Sequence, residues 1–289
     1  MTPFDGTLVW IWNLGNCDGG DYDAIAGRIR DAGARGVIVK ASDGGNWFPQ
    51  GRTGQTPVSE IVSELRGRGL TAVTWGYCYD YSEAAEAQRA IETIEQARPD
   101  AHVLDVEQED EQQPGTAADA TALAHAIKSA SPPDFPPAYA PLPAIGLHVR
   151  LPYRQFTDAG LAMLPQLYWS ALGWTPQYTV RQFYEALATY DLARQPIYPA
   201  YIDAAGARAT DEDLAAFLAL VAMHGVTGVS VWSYEHLDAD GWRRVAQAAR
   251  AFPATTPDPC VSLRQQLTAL STELAGANAR LEAVRQAVG

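Results

Sequence analysis

A chain of 289 residues, 47% hydrophobic and 19% charged, can bury a large core and is too apolar for an intrinsically disordered protein. Its formal net charge of −13 argues against nucleic acid or an anionic membrane as the main partner and suits an uncharged or cationic substrate. Cys17, Cys78 and Cys260 form neither a C-x-x-C pair nor a zinc spacing, residues 1–20 lack the pattern of a signal peptide, and no apolar run is long enough to insert in a membrane.

Strand-like apolar runs alternate with amphipathic helical stretches for about 250 residues. The first strand is predicted at Leu8–Trp12, followed by a helix from Asp21 to Ala32 with Ile25 and Ile29 on one face. The second strand, Gly36–Ala41, precedes a helix carrying Val58, Ile61, Val62 and Leu65. The third, Thr71–Tyr77, precedes a helix from Ser82 to Ala97. The fourth ends in Asp105-Val106-Glu107 and leads to a helix over Thr116–Ser129. A Pro-rich passage, Ser131–Pro143, then interrupts the rhythm, and a weak fifth strand is expected at Ala144–Val149. The sixth strand is expected at Met163–Trp169, with a helix around Val180–Tyr190. The seventh, Ile197–Asp203, leads to a helix opened by Thr210-Asp211-Glu212-Asp213 and stopped at Gly225. The eighth is Gly228–Tyr234, and a last helix runs to Ala251.

Eight strand–helix units fit a (β/α)8 barrel over residues 1–252 better than an open sheet, and no G-x-G-x-x-G follows the first strand. The Pro-rich segment 253–260 reads as a linker. Beyond it, Leu263, Leu267, Leu270, Leu274, Ala277, Leu281, Val284 and Val288 keep an a/d heptad spacing. A coiled-coil helix over 261–289 that makes the protein a homo-oligomer is expected, with a helix folded back on the barrel as the alternative. Cys260 would lie at the stem of such a coil, as an interchain disulfide or a free thiol.

In a barrel of this kind, chemistry collects at the carboxyl ends of the strands. Asp43, Asp80, Asp105, Glu107, Asp203 and Glu235 all fall there, as do Lys40, Tyr77, Tyr79, Tyr168, Trp169, Tyr201, Trp232 and Tyr234. Strand side chains alternate, so Asp105 and Glu107 share a face while Leu104 and Val106 turn toward the helices. Two acids on one face can protonate a leaving oxygen and steady a cation, although a solvated loop acid would show the same D-x-E. Tyr201 and Asp203 share a face by the same logic, as do Trp232 and Tyr234, and both pairs are expected to point inward. Lys40 could pair with one of the acids. Trp12, Tyr79, Tyr168, Trp169, Trp174, Tyr201, Trp232 and Tyr234 crowd the expected mouth and offer planes on which sugar rings stack, although strand alternation must send some of them outward to pack against helices. The five histidines have no H-x-H or H-E-x-x-H spacing and there is no G-x-S-x-G elbow, so neither a metal, a cofactor nor a serine nucleophile is expected.

The blocks Gly36-Val37-Ile38-Val39-Lys40-Ala41-Ser42-Asp43-Gly44 and His102-Val103-Leu104-Asp105-Val106-Glu107, the second preceded by the Ala/Glu/Gln-rich helix Ala84–Arg98, resemble glycoside hydrolase family 25, the barrel N-acetylmuramidases. The resemblance covers roughly the first 110 residues. It implies a polysaccharide substrate, peptidoglycan first and chitin-like chains second. It also implies Glu107 as general acid and Asp105 as the group that positions an acetamido group or stabilises an oxocarbenium-like transition state. Family 18 chitinases also end their fourth strand in D-x-E, and their last-strand Trp is similar to Trp232. The chain departs from family 25 in its first strand, where Val9-Trp10-Ile11-Trp12-Asn13 carries no acid, and Asp203 is only a positional candidate for a third carboxylate. The alternative is a glycan-binding or structural barrel without turnover in a coiled-coil assembly such as a phage tail or a cell-surface machine. The protein would reach a cell wall only if released or carried there, as an endolysin is.

Overall fold

The computed structural model describes residues 1–79, 83–107 and 116–253. The expected coiled coil at 261–289, the linker beyond Pro253, Cys260, Asp80 and the stretch after Glu107 lie outside the described residues.

Eight parallel strands form one curled sheet: β1 (Gly6–Ile11), β2 (Gly36–Asp43), β4 (Thr71–Cys78), β5 (His102–Val106), β6 (Pro137–Pro141), β7 (Ala162–Met163), β8 (Ala200–Ile202) and β9 (Gly228–Trp232). A two-residue strand, β3 (Asn46–Trp47), pairs antiparallel with the end of β2. The spatial order is β7-β6-β5-β4-β2-β1-β9-β8. Parallel bridges Met163–Ile197 and Gln166–Ala200 join the two ends, so the sheet closes on itself. The helices are α1 (Tyr22–Asp31), α2 (Val58–Gly67), α3 (Glu83–Ala97), α4 (Thr116–Ala130), α5 (Tyr153–Asp158), α6 (Trp169–Leu172), α7 (Pro176–Thr189), α8 (Asp211–Met223) and α9 (Ala239–Ala251).

Strand alternation divides the core into two layers. Leu8, Trp10, Ile38, Val73, Trp75 and Val103 fill the barrel interior. Val9, Ile11, Val37, Val39, Leu104 and Val106 face outward and pack on Ile25, Ile29, Ile61, Val62 and Leu65 of the helices. A strand buried on both faces cannot alternate apolar with polar, which is why these runs are almost continuously hydrophobic. The helices begin where the sequence offers caps. Asp21 accepts from the backbone N–H groups of Asp23 and Ala24, and Thr210 accepts from that of Asp213. Gly225, at a φ of 78°, follows α8 in the left-handed conformation that ends a helix.

The fifth strand departs from the sequence reading. It lies inside the Pro-rich passage, at Pro137–Pro141, and the apolar residues 144–149 form turns that leave Leu147 and Val149 exposed. Proline cannot donate to a ladder, and here Pro137 and Pro141 sit at the two strand ends, where the missing donor costs least. Ala138 and Ala140 are small enough to face an interior already occupied by Trp75, while Tyr139 points outward and its hydroxyl pairs with Thr157 Oγ1 at 3.0 Å. The sixth strand is also shorter than expected. Pro165 interrupts it, and Trp169 begins a helix.

Candidate active site

β5 brings its two acids to one end of the barrel. Val103 lies in the interior, Asp105 follows two residues later, and Glu107 stands just beyond the strand. Asp105 is paired in register with Tyr77 of β4. Both acids line a cleft of about 450 Å³, within the usual range for a small-ligand site.

Gln166 ties the pair together. Its side-chain nitrogen donates to Asp105 Oδ1 at 2.9 Å and to Glu107 Oε1 at 3.0 Å. A primary amide carries two hydrogens on one nitrogen, so each carboxylate takes one. Tyr77 donates its hydroxyl to the other Glu107 oxygen at 3.5 Å. Tyr168, two residues after Gln166, also lines the cleft. Burial first, and then the charges of Asp105 and Glu107, push its phenol well above the ordinary tyrosine range. Tyr168 therefore keeps its proton at neutral pH and is a donor facing two acceptor groups.

The opposite wall is aromatic. Trp10, Trp12, Trp75 and Trp232 form a continuous cluster with centroid separations from 5.6 to 6.0 Å and edge-to-face or tilted geometry. Trp12 is 44% exposed and presents its ring to the cleft. Its backbone is held from two sides. Glu235 Oε1 accepts from the N–H groups of Trp12 and Asn13, both at 2.7 Å, and Gln50 Nε2 donates to the Trp12 carbonyl at 2.9 Å. Glu235, an acid at the end of the last strand, thus supports the wall instead of facing the substrate space.

Lys40 extends from β2 into this cluster. Its ammonium lies 4.2 Å from the centroid of Trp12, 4.4 Å from Phe48 and 4.9 Å from Trp75, and 2.7 Å from Asp43 Oδ1. Tyr79 donates to the other Asp43 oxygen at 3.4 Å.

Three of the expected site residues lie elsewhere. Tyr201 is fully buried on the outer face of the barrel, against Trp169 and Phe217. Asp203 is buried too, and Arg244 of α9 holds it through Nε–Oδ2 at 2.6 Å and Nη2–Oδ1 at 3.1 Å. β8 is the inverse of the expected phase: its odd-numbered positions turn toward the helices. Tyr234 stands in a 3-10 turn beyond Trp232, where strand alternation no longer applies. Its hydroxyl donates to Asp18 at 2.6 Å and its ring packs on Trp242. The cleft does collect Asp105, Glu107, Trp12, Lys40, Tyr79, Tyr168 and Trp232. Sequence reading missed Gln166 and the inward role of Trp10. Gln166 shares a face with Tyr168 at i, i+2, but Pro165 and the early helix at Trp169 disguise that strand. Among the described residues no group of three His, Cys, Asp or Glu could hold a metal, and no helix is long and apolar enough to cross a membrane.

No family model matches the chain, and no curated protein matches it. Solved structures do. An endo-1,4-β-D-mannanase from Thermotoga petrophila superimposes with a TM-score of 0.63 at 11% identity, covering 86% of this chain and 100% of that one. The spore cortex-lytic enzyme SleL of Bacillus cereus gives 0.59 at 9%, covering 84% and 74%. A family 18 chitinase from Pseudoalteromonas aurantia gives 0.59 at 14%, covering 85% and 99%. At such identities the likeness is one of fold: a (β/α)8-type barrel shared with glycoside hydrolases, with none of these neighbours described as a family 25 enzyme.

Proposed function

We propose that the protein is a glycoside hydrolase acting on an N-acetylated polysaccharide, either peptidoglycan or a chitin-like chain. The observation that carries this reading is the Asp105–Glu107 couple, joined by Gln166 and set opposite a tryptophan cluster whose Trp12 is exposed to the cleft. The barrel's likeness to a mannanase, to chitinases and to a cortex-lytic enzyme supports it. Sugar rings stack on Trp12 and Trp232 with their C–H faces, and the polar groups fix the orientation. Glu107 protonates the glycosidic oxygen. Asp105 holds the acetamido group as an internal nucleophile or stabilises the developing positive charge directly. Tyr168 donates its hydroxyl to a ligand oxygen, and Gln166 keeps the two acids in a fixed relation. Asp203 takes no part.

Glu107→Gln removes the proton donor and keeps the shape. Turnover of purified cell walls or chitin oligosaccharides should fall by about 10²-fold or more while binding persists. Unchanged turnover in that variant would sink the assignment.

The second reading, a glycan-binding barrel without turnover, draws on the end of β1, where Trp10 and, just beyond the strand, Trp12 line the cleft and no acid does. Self-association through 261–289 belongs to our proposal under either reading. A light-scattering mass beside a hydrolysis assay separates an inactive oligomer from an enzyme.

A further inference from the structure

The charges of the cleft are arranged so that its cation is out of a ligand's reach. Among the described lining residues Asp43, Asp105 and Glu107 are acids, and Lys40 is the one cation. The Lys40 side chain is 2% exposed, whereas that of Asp43 is 40% exposed. Its ammonium is satisfied by Asp43 Oδ1 at 2.7 Å and by the negative faces of Trp12, Phe48 and Trp75. What a ligand meets is therefore two further carboxylates, ring faces and neutral donors.

We propose that Asp43 is the specificity determinant of the cleft. By binding Lys40 it withdraws the cation from substrate, so the site takes hexosamine chains that carry no carboxylate. Rings bearing one, such as the lactyl ether of muramic acid, are turned away. The inference rests on the glycan reading above and decides between its two substrate classes. The physical reason is pairwise. Among the described residues, a ligand carboxylate entering beside Asp105 and Glu107 reaches no free cation and meets like charges in a partly desolvated space, where Coulomb terms are several times larger than in water. The preference for the uncharged ligand should be about tenfold or more, which corresponds to about 1.4 kcal/mol.

The test is a tryptophan-fluorescence titration of the full chain with two tetrasaccharides, one of N-acetylglucosamine alone and one of alternating N-acetylglucosamine and N-acetylmuramic acid without stem peptides. Product formation is followed in the same samples. The wild type should bind the uncharged ligand about tenfold or more tightly, and Asp43→Asn should narrow that gap, because it removes one carboxylate from the cleft and leaves the field of Lys40 unneutralised. Equal or tighter binding of the muramic ligand by the wild type overturns the proposal. A wild-type preference that Asp43→Asn leaves untouched overturns the role given to Asp43. If Asp43→Asn does not fold, the wild-type comparison alone still decides the substrate class. Binding with the stated preference but without product overturns the hydrolase reading and leaves this one standing, while no binding of either ligand overturns both.

Discussion

Arg244 and Asp203 form a fork-shaped ion pair sealed between α9 and the end of β8, with both Asp203 oxygens engaged and no exposure of the carboxylate. Arg208 approaches the same carboxylate at 3.8 Å. The relationship makes Asp203 a structural acid. Asp203→Ala leaves the buried guanidinium with only the more distant Asp211, 3.6 Å from Nη1, and costs up to about 3–5 kcal/mol. Urea unfolding should show that loss, and turnover per folded molecule should stay within about twofold, since the pair lies outside the cleft. A large fall in turnover with unchanged stability would return Asp203 to the catalytic set.

Gln166 offers a sharper probe of the two acids. Gln166→Ala removes the donor shared by Asp105 and Glu107, and kcat should drop by roughly 10-fold to 100-fold, in line with losing one or two charge-assisted hydrogen bonds. Gln166→Glu places a third carboxylate against the pair, and like charges at such separations oppose ionisation. Glu107, the general acid, should therefore hold its proton to higher pH, and the basic limb of the kcat–pH profile should lie at higher pH than in the alanine variant. Steady-state kinetics of the two variants side by side across pH check the order.

Trp12 and Trp232 should separate binding from stability. Trp12 is the exposed member of the cluster, so Trp12→Ala should weaken glycan binding by about 1 kcal/mol, roughly fivefold, with a modest effect on folding. Trp232 contacts Trp10, Trp12 and Trp75 at once. Its replacement by Ala opens a cavity in the cluster and should cost about 3–5 kcal/mol of stability as well as affinity. Calorimetric binding and thermal unfolding of both variants measure the contrast.

His102 gives the fold a pH dependence. It is buried on the outer face of β5, its Nδ1 lies 2.9 Å from Thr74 Oγ1, and burial lowers its pKa to about 4. An unfolded chain takes up the proton near the ordinary histidine value of about 6.5, well before the folded one does. Between those values the unfolded state binds more protons. The contribution is therefore complete above about pH 6.5 and is lost as pH falls toward 4, to a total of about 3 kcal/mol. Urea midpoints at pH 7 and pH 4.5 should show this loss in the wild type and a smaller one in His102→Gln.

The sequence made β4 and β5 legible because both obey simple alternation: Trp75 and Val103 inward, Leu104 and Val106 outward, and hence Asp105 and Glu107 together. The helices were legible because their caps, such as Asp21 and Thr210, are local. The second half was harder to read. At Tyr201 a long strand was expected, and the observed three residues have the opposite phase. At Tyr234 the strand had already ended at Trp232. A one-residue change of phase sends every side chain to the other face, so a small error in strand limits reverses the assignment of a whole set of residues.

Local periodicity and capping chemistry, which act over a few residues, thus determined the barrel rhythm, the paired acids and the aromatic supply. Only the closed tertiary structure decided which of the remaining groups meet. Gln166 reaches from the segment after β7 to the end of β5, Arg244 of α9 claims Asp203 just past β8, and Trp12, Phe48 and Trp75 from other segments enclose the Lys40 ammonium of β2. These are contacts between elements, set by register, strand phase and the energy of desolvating a charge, and no spacing along the chain encodes them.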